Sequence, residues 1–351
     1  MTKKIGIAVL GCGFIAPKHL DACVADERCE LIAVCAREAD WAEQVRAKYG
    51  AKRAYTDYRD VLCDPEVDAV SICLPNAMHA RVTIEALEAG KDVLCEKPMA
   101  SNAEEARAMI EARDRSGRTL MILQNQRFIP AAQMMKRMYD NGEFGDVYHI
   151  RTGWRRPLGM LPSPDDNVIE GMPHYDRDWY NDKSACGGVL RDLGVHMIDL
   201  AMYITGFPRI KSVDASLHRS FEPAAASAMA DRKASTSEDL AVAHLKFENG
   251  MSLSLEVSFG TPISEEQVFT ELYGTKGGAE RSFDDLRLIK TDDGVSFTVE
   301  EADLSGEKPF LHCIHEFLDV LVDGRENPCR PEDSLAIIEI LDRIYASGEN
   351  N

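Results

Sequence analysis

Asp192 and His196 stand four residues apart in the stretch Gly187-Gly188-x-x-x-Asp192-x-Gly194-x-His196-x-x-Asp199. On an α-helix that spacing puts a carboxylate and an imidazole one turn apart on one face. A carboxylate beside the ring holds it, fixes its tautomer and raises its basicity, which suits proton transfer near neutral pH. Asp199 is expected close to the same face. The other side of the helix carries Leu190, Leu193, Met197, Leu200 and Ala201, an apolar stripe that continues to Ile204. Gly187 and Gly188 let the backbone pass close to something bulky, a ligand or another segment of chain. A core histidine paired with a structural aspartate fits this helix equally well, so the rest of the chain has to decide.

A second candidate is Lys97, in Glu96-Lys97-Pro98 at the end of a predicted strand over 91–95. A lysine at a parallel-strand terminus, followed by the fixed φ of proline, would point into the ligand crevice and could donate to a substrate oxygen; an ordinary surface lysine is the alternative reading. Leu74-Pro75-Asn76-x-x-His79 leaves another predicted strand, 67–73. Asn76 there is a candidate cofactor contact, while His79 alone reads equally as an ordinary residue of a helix N-terminus.

The cofactor expectation comes from the N-terminus. Residues 4–10 read as a buried strand, Gly11-Cys12-Gly13-Phe14-Ile15-Ala16 as a turn, and 16–25 as a helix. Dinucleotide binding needs that order: one glycine for the turn, one to admit the pyrophosphate, and a small third residue for close helix–strand packing. The next predicted strand, 30–35, ends in Ala36 and Arg37 rather than an acidic residue. A small residue and a positive charge leave room for a 2′-phosphate, so the pattern leans to NADP over NAD; Glu38 and Asp40 nearby pull the other way.

These residues must be positioned by alternating elements. Helices are predicted over 41–49, from Asp57 as cap through Leu62, to Ala89, and over 103–116 with Ser101 and Glu104 as a capping box. A strand over 119–123 ends in Gln124-Asn125-Gln126-Arg127-Phe128, and Pro130 starts a helix to about Tyr139. Five or six such β/α units predict a doubly wound parallel sheet in residues 1–125. In residues 126–351 the pattern changes. A strand over 147–152 is followed by an irregular segment, 155–186, that holds Arg155, His174, Trp179 and other aromatic and charged residues. Such a set suits a polyhydroxylated ligand and equally a subunit interface. From 209 onward, half-buried strands with turn signals at 247–251, 272–278 and 291–294 predict a large, open-faced, predominantly antiparallel sheet. The Asp192–His196 helix can cover one face and a second subunit the other. Residues 220–237 read as an exposed connection, and the last helices, about 311–323 and 332–346, are expected to fold back on the first domain.

Composition narrows the class. The 351 residues carry a net charge of −19, which argues against nucleic-acid and anionic-membrane partners. No apolar run is long enough to span a bilayer, and Met1-Thr2-Lys3-Lys4 leads straight into a strand, so a cytoplasmic protein is expected. Ten scattered cysteines without a C-x-x-C pair read as reduced core thiols.

In this order, the G-x-G-x-x-A turn, Pro75-Asn76-x-x-His79, Glu96-Lys97-Pro98 and the Gly187–Asp199 motif resemble the Gfo/Idh/MocA oxidoreductases, and the resemblance spans essentially the whole chain. Gly274-Thr275-Lys276-Gly277 and Pro331-Glu332-Asp333 extend it. It implies a Rossmann domain followed by an α/β domain whose open-faced sheet packs dimers or tetramers. It also implies hydride transfer between NAD(P) and a secondary alcohol of a sugar, cyclitol or related polyol, with Lys97 as active-site lysine, His196 as acid/base and Asp192 as its partner. Asn125 and Arg127 match a stretch that lines the family's site. The expected cofactor contacts are Gly11, Gly13, Phe14, Ile15, Ala36, Arg37, Leu74, Asn76, His79, Glu96, Lys97 and Asn125. The expected substrate contacts are Lys97, Arg127, Arg155, His174, Trp179, Asp192 and His196. Redox-neutral members that recycle a bound cofactor, and non-catalytic sensors on the same fold, are the alternatives. A metal held by His174, Asp192, His196 and Asp199 is a poorer one, and none is expected.

Overall fold

The computed structural model describes residues 4–158, 182–219, 236–283, 285–292, 295–303 and 309–349. Unbroken apolar runs become strands covered on both faces. β1 (Ile5–Leu10), β2 (Cys29–Cys35), β3 (Arg53–Tyr55), β4 (Ala69–Ile72), β5 (Asp92–Cys95) and β6 (Leu120–Ile122) form a six-stranded sheet in the order β3-β2-β1-β4-β5-β6. All its pairs are parallel. The connecting helices are α1 (Ala16–Ala25), α2 (Ala39–Tyr49), α3 (Tyr58–Cys63), α4 (His79–Glu88) and α5 (Ala103–Ser116). Strand order reverses between β1 and β4, the switch point beyond which open α/β sheets bind ligands at their carboxyl ends. The Asp57 side chain caps α3 by accepting from the Arg59 N–H. The cap of α5 differs from expectation by one residue. Helical residues begin at Ala103, so Asn102 is the cap and accepts from the Glu105 N–H, while Glu105 reaches back to the Ser101 N–H.

The second sheet has eight strands. It holds β7 (Val147–Pro157), β8 (Ile210–His218), β9 (Leu240–Phe247), β10 (Ser252–Thr261), β11 (Gln267–Gly274), β12 (Gly277–Ser282), β13 (Asp285–Asp292) and β14 (Val295–Asp303), in the order β14-β13-β12-β11-β7-β10-β9-β8. Among the described residues of this sheet, only β7 and β10 pair in parallel. Burial alternates along β9, as in a sheet with one covered face. Helices α6 (Pro130–Asp140) and α7 (Val195–Thr205) cover that face, packing Met135, Leu200 and Ile204 against Leu272, Leu286 and Leu288. Strand β7 is longer than expected, so Arg155 and Arg156 lie on it rather than in an irregular segment. His174, Trp179 and residues 220–235 lie outside the described residues.

Two further helices, α8 (Pro309–Asp323) and α9 (Pro331–Gly348), end the chain. The described residues divide into two compact units: 4–125 with 310–338, and 126–309 with 339–349. Among the described residues no helix is long and apolar enough to cross a membrane. Nine of the ten cysteines are buried, Cys63 being exposed.

Candidate active site

In the first unit, the expected cofactor residues gather at the carboxyl edge of the parallel sheet. Gly11 turns with φ +95°, and a Cβ there would lie 2.4 Å from the Cys73 carbonyl oxygen. Only glycine allows β1 and β4 to close up at this point. A Cβ on Gly13 would meet nothing within 4 Å, so the backbone there faces open space. Helix α1 starts immediately after this turn, with Pro17 in its first turn and no side-chain cap from Ile15. Its first N–H groups and the positive end of its dipole suit a pyrophosphate. Ala36 follows β2 and is buried; Arg37 beside it is exposed and paired with Glu38 at 2.8 Å. Asn76 is buried after β4. Asn125 follows β6, and its carboxamide oxygen is buried with no hydrogen-bond partner. That orphaned acceptor, together with the open turn at Gly13, fits a polar ligand lying along this edge.

Lys97 lies two residues beyond the end of β5 and is half-buried. Its neighbours have buried protein partners. Glu96 is 5% exposed; one oxygen meets His19 Nε2 at 2.9 Å and the other accepts the Lys97 N–H at 3.1 Å. His79 is fully buried, with Nδ1 2.8 Å from the Pro98 carbonyl oxygen and Nε2 2.8 Å from that of Leu74. Glu96 and His79, both expected at the cofactor, thus have protein partners set by their burial.

In the second unit, His196 opens α7 and is 7% exposed. The turn before it, Leu190–Gly194, is π-helical: the Val195 N–H reaches the Leu190 carbonyl. The backbone from Asp192 to His196 is therefore not the regular α-helix expected, a distortion frequent at functional sites. The Trp154 ring lies 5.9 Å from that of His196, tilted by 39°. Its indole N–H donates to Glu266 at 2.7 Å, and Arg156 lies over the ring. Sequence reasoning missed this neighbour, although alternation along β7 puts Ile150, Thr152 and Trp154 on the face covered by α7.

Glu238 anchors the start of this helix. It is buried, its backbone carbonyl accepts the Val189 N–H at 3.2 Å, and its Oε1 accepts the Leu190 N–H at 3.0 Å and the Tyr345 hydroxyl at 2.9 Å. Burial pushes its carboxyl above the usual range, against these hydrogen bonds. The object that Gly188 passes closely is therefore this carboxylate. No pattern around Glu238 signalled the role.

Two expected site residues have other surroundings than anticipated. Asp199 is 0% exposed because α7 is buried on nearly all sides, and Arg127 meets it bidentately at 2.6 and 2.9 Å. Tyr203 and Phe207 face the same guanidinium. Arg155 projects from the opposite face of β7 to Trp154, pairing with Glu256 and Gln267 beside Phe269. Adjacent residues on a strand cannot share a face. Among the described residues, no cluster of three or more His, Cys, Asp or Glu is arranged to hold a metal ion.

Residues 5–124 match the GFO/IDH/MocA oxidoreductase family with NAD-binding Rossmann fold, and residues 132–280 match the GFO/IDH/MocA C-terminal domain. The D-glucoside 3-dehydrogenase of Escherichia coli strain K12 is 28% identical over 99% of this chain and 96% of its own length. The levoglucosan dehydrogenase of Pseudarthrobacter phenanthrenivorans is 26% identical over 76% of this chain and 67% of its own. The crystal structure of an NAD-binding oxidoreductase from Klebsiella pneumoniae superposes with a TM-score of 0.82 at 25% identity, covering 99% of this chain and 97% of that one.

Proposed function

This chain belongs to the Gfo/Idh/MocA family of NAD-binding oxidoreductases, and from that membership we propose that it moves a hydride between a nicotinamide dinucleotide and a secondary hydroxyl of a sugar, glycoside or cyclitol. The observation that carries this reading is Lys97 at the carboxyl end of a parallel strand, on the sheet edge where Gly11 and Gly13 turn. The two sugar dehydrogenases similar to the chain support the substrate class.

Gly11, Gly13 and the start of α1 hold the pyrophosphate, and Ala36 and Arg37 favour NADP over NAD at the ribose. The bound nicotinamide supplies the hydride acceptor. Neutral His196, oriented by Asp192, takes the hydroxyl proton, and the Lys97 ammonium stabilises the alkoxide that develops. Trp154 packs beside the His196 ring and limits its tilt. Arg127 serves through Asp199 by holding α7. His174 and Trp179 are proposed as substrate contacts on their residue types. A second copy of the chain covers the open face of the large sheet, where Val242 is 43% exposed, giving a homodimer or homotetramer.

The test is to identify the dinucleotide that copurifies and follow its redox state against sugars, glycosides and cyclitols. Reduction by one of them, lost by about 100-fold or more in Lys97→Ala and His196→Ala, is expected. Wild-type turnover in either variant would sink the mechanism. Product formation without net change in the nicotinamide would move the assignment to a redox-neutral reaction.

A further inference from the structure

Lys97 has a flexible four-carbon stem, so its ammonium is aimed only if its backbone is fixed. Two histidines that no step above uses flank that backbone. His19, on α1, is fully buried. Its Nδ1 lies 2.7 Å from the Ser71 hydroxyl and its Nε2 2.9 Å from Glu96 Oε1, while Glu96 Oε2 accepts the Lys97 N–H. A chain of contacts thus runs from β4 through α1 to the lysine's own amide.

On the other side, His79 lies 2.8 Å from the Pro98 carbonyl and 2.8 Å from the Leu74 carbonyl. Carbonyl oxygens only accept, so both ring nitrogens must donate, and the ring that satisfies both contacts is the imidazolium. Burial alone would push this histidine down; Cys95 and the two carbonyls outweigh it and raise it to about 9. The cation therefore clamps the end of β4 to the residue after Lys97.

We propose that His19 and His79 are positioning residues that bracket Glu96-Lys97-Pro98 and aim the Lys97 ammonium, rather than contacts to the dinucleotide. The catalytic part of this proposal rests on the reading of Lys97 given above; the bracket itself does not. Misplacing a reacting group by about 1 Å costs on the order of 100-fold in rate, so loosening either side should be visible in turnover.

The experiment uses the whole protein with NADP or NAD added. Variants His19→Leu and His79→Leu remove the contacts; His19→Gln and His79→Gln keep N–H donors and carry the test if the leucine variants do not fold. Hydrogen–deuterium exchange of residues 95–101 reports the backbone, and acylation of Lys97 by a soluble succinimidyl ester, read by mass spectrometry, reports the ammonium. The expected result is exchange about tenfold faster, an acylation rate changed at least threefold and kcat about tenfold lower or less. KM for the sugar and Kd for the dinucleotide should stay within about twofold, with partial recovery in the glutamine variants. Unchanged exchange and acylation in both histidine variants would overturn the bracket, and so would a loss of dinucleotide affinity without either change. If Lys97→Ala turns over normally, the dehydrogenase mechanism fails, while exchange and acylation still decide the bracket.

Discussion

The Glu238 carboxylate occupies the space that a side chain at Gly188 would need: a Cβ there would lie 2.4 Å from Glu238 Oε1. Gly188 also has φ +115°, a conformation that L side chains rarely adopt. The small residue and the acid are thus one device, which lets a buried carboxylate reach the Leu190 N–H at the start of the π turn that leads into the helix carrying His196. Gly188→Ala is expected to cost about 2 kcal/mol or more. Glu238→Ala leaves the Leu190 N–H and the Tyr345 hydroxyl without this acceptor and should cost about 1–3 kcal/mol. Urea unfolding midpoints measure both. A Gly188→Ala midpoint equal to wild type would show that the carboxylate moves aside freely.

Arg127 and Asp199 make a second buried device in the same unit, 3% and 0% exposed. Removing one partner takes from the other buried charge its bidentate hydrogen bonds, so Arg127→Ala or Asp199→Ala should each cost about 3–5 kcal/mol. Replacing both with apolar residues of similar volume, Arg127→Met with Asp199→Leu, should cost much less than the two single losses added together. A double-mutant cycle on unfolding free energies checks this. Additive losses would mean that the two side chains do not depend on each other.

Five of the six parallel strands were legible in the sequence because they are largely apolar runs separated by helical periods, and the Gly11–Gly13 turn sits where strand gives way to helix; the edge strand β3, Arg53-Ala54-Tyr55, is half-buried and carries no such run. Lys97 and His196 were legible as chemical types in motif order. Their supports were not. Arg127 and Asp199 are 72 residues apart, and Glu238 and Leu190 are 48 apart, distances at which local pattern carries no information. The π-helical turn at Leu190–Gly194 has no periodicity of its own and looks like ordinary helix in the residue order. Arg155 and Arg156 read as irregular because both sides of β7 are polar there. One face meets Glu266 and the other Glu256, so the usual apolar–polar alternation is absent.

His79 gives the fold a pH dependence with a definite sign. Its ring rises from an ordinary value of 6.5 to about 9 in the folded protein, with Cys95 as the titratable group among the causes. The folded state then holds a proton that the unfolded chain releases. The stabilisation is complete below about pH 6.5 and erodes as pH climbs through 9, by up to about 3 kcal/mol. Unfolding free energies of wild type and His79→Gln between pH 6 and 9.5 should converge as pH rises. A gap that stays constant would show that the ring is neutral throughout.

On the NADP reading proposed above, Arg37 is the residue that would meet the 2′-phosphate. Its side chain is 88% exposed, and its pairing with Glu38 is a surface ion pair of the kind that contributes little to stability. Exchanging that carboxylate for a 2′-phosphate therefore costs little and gains a charge-assisted hydrogen bond of about 1.5–3 kcal/mol. Arg37→Ala should lower kcat/KM with NADP roughly 10- to 100-fold and leave the value with NAD within about threefold. Ala36→Asp should shift preference the same way, by putting a carboxylate where the 2′-phosphate would lie and offering an acceptor to a free ribose hydroxyl. If Arg37→Ala lowers both values equally, or if wild type prefers NAD and the variant does not change that preference, Arg37 reads no phosphate.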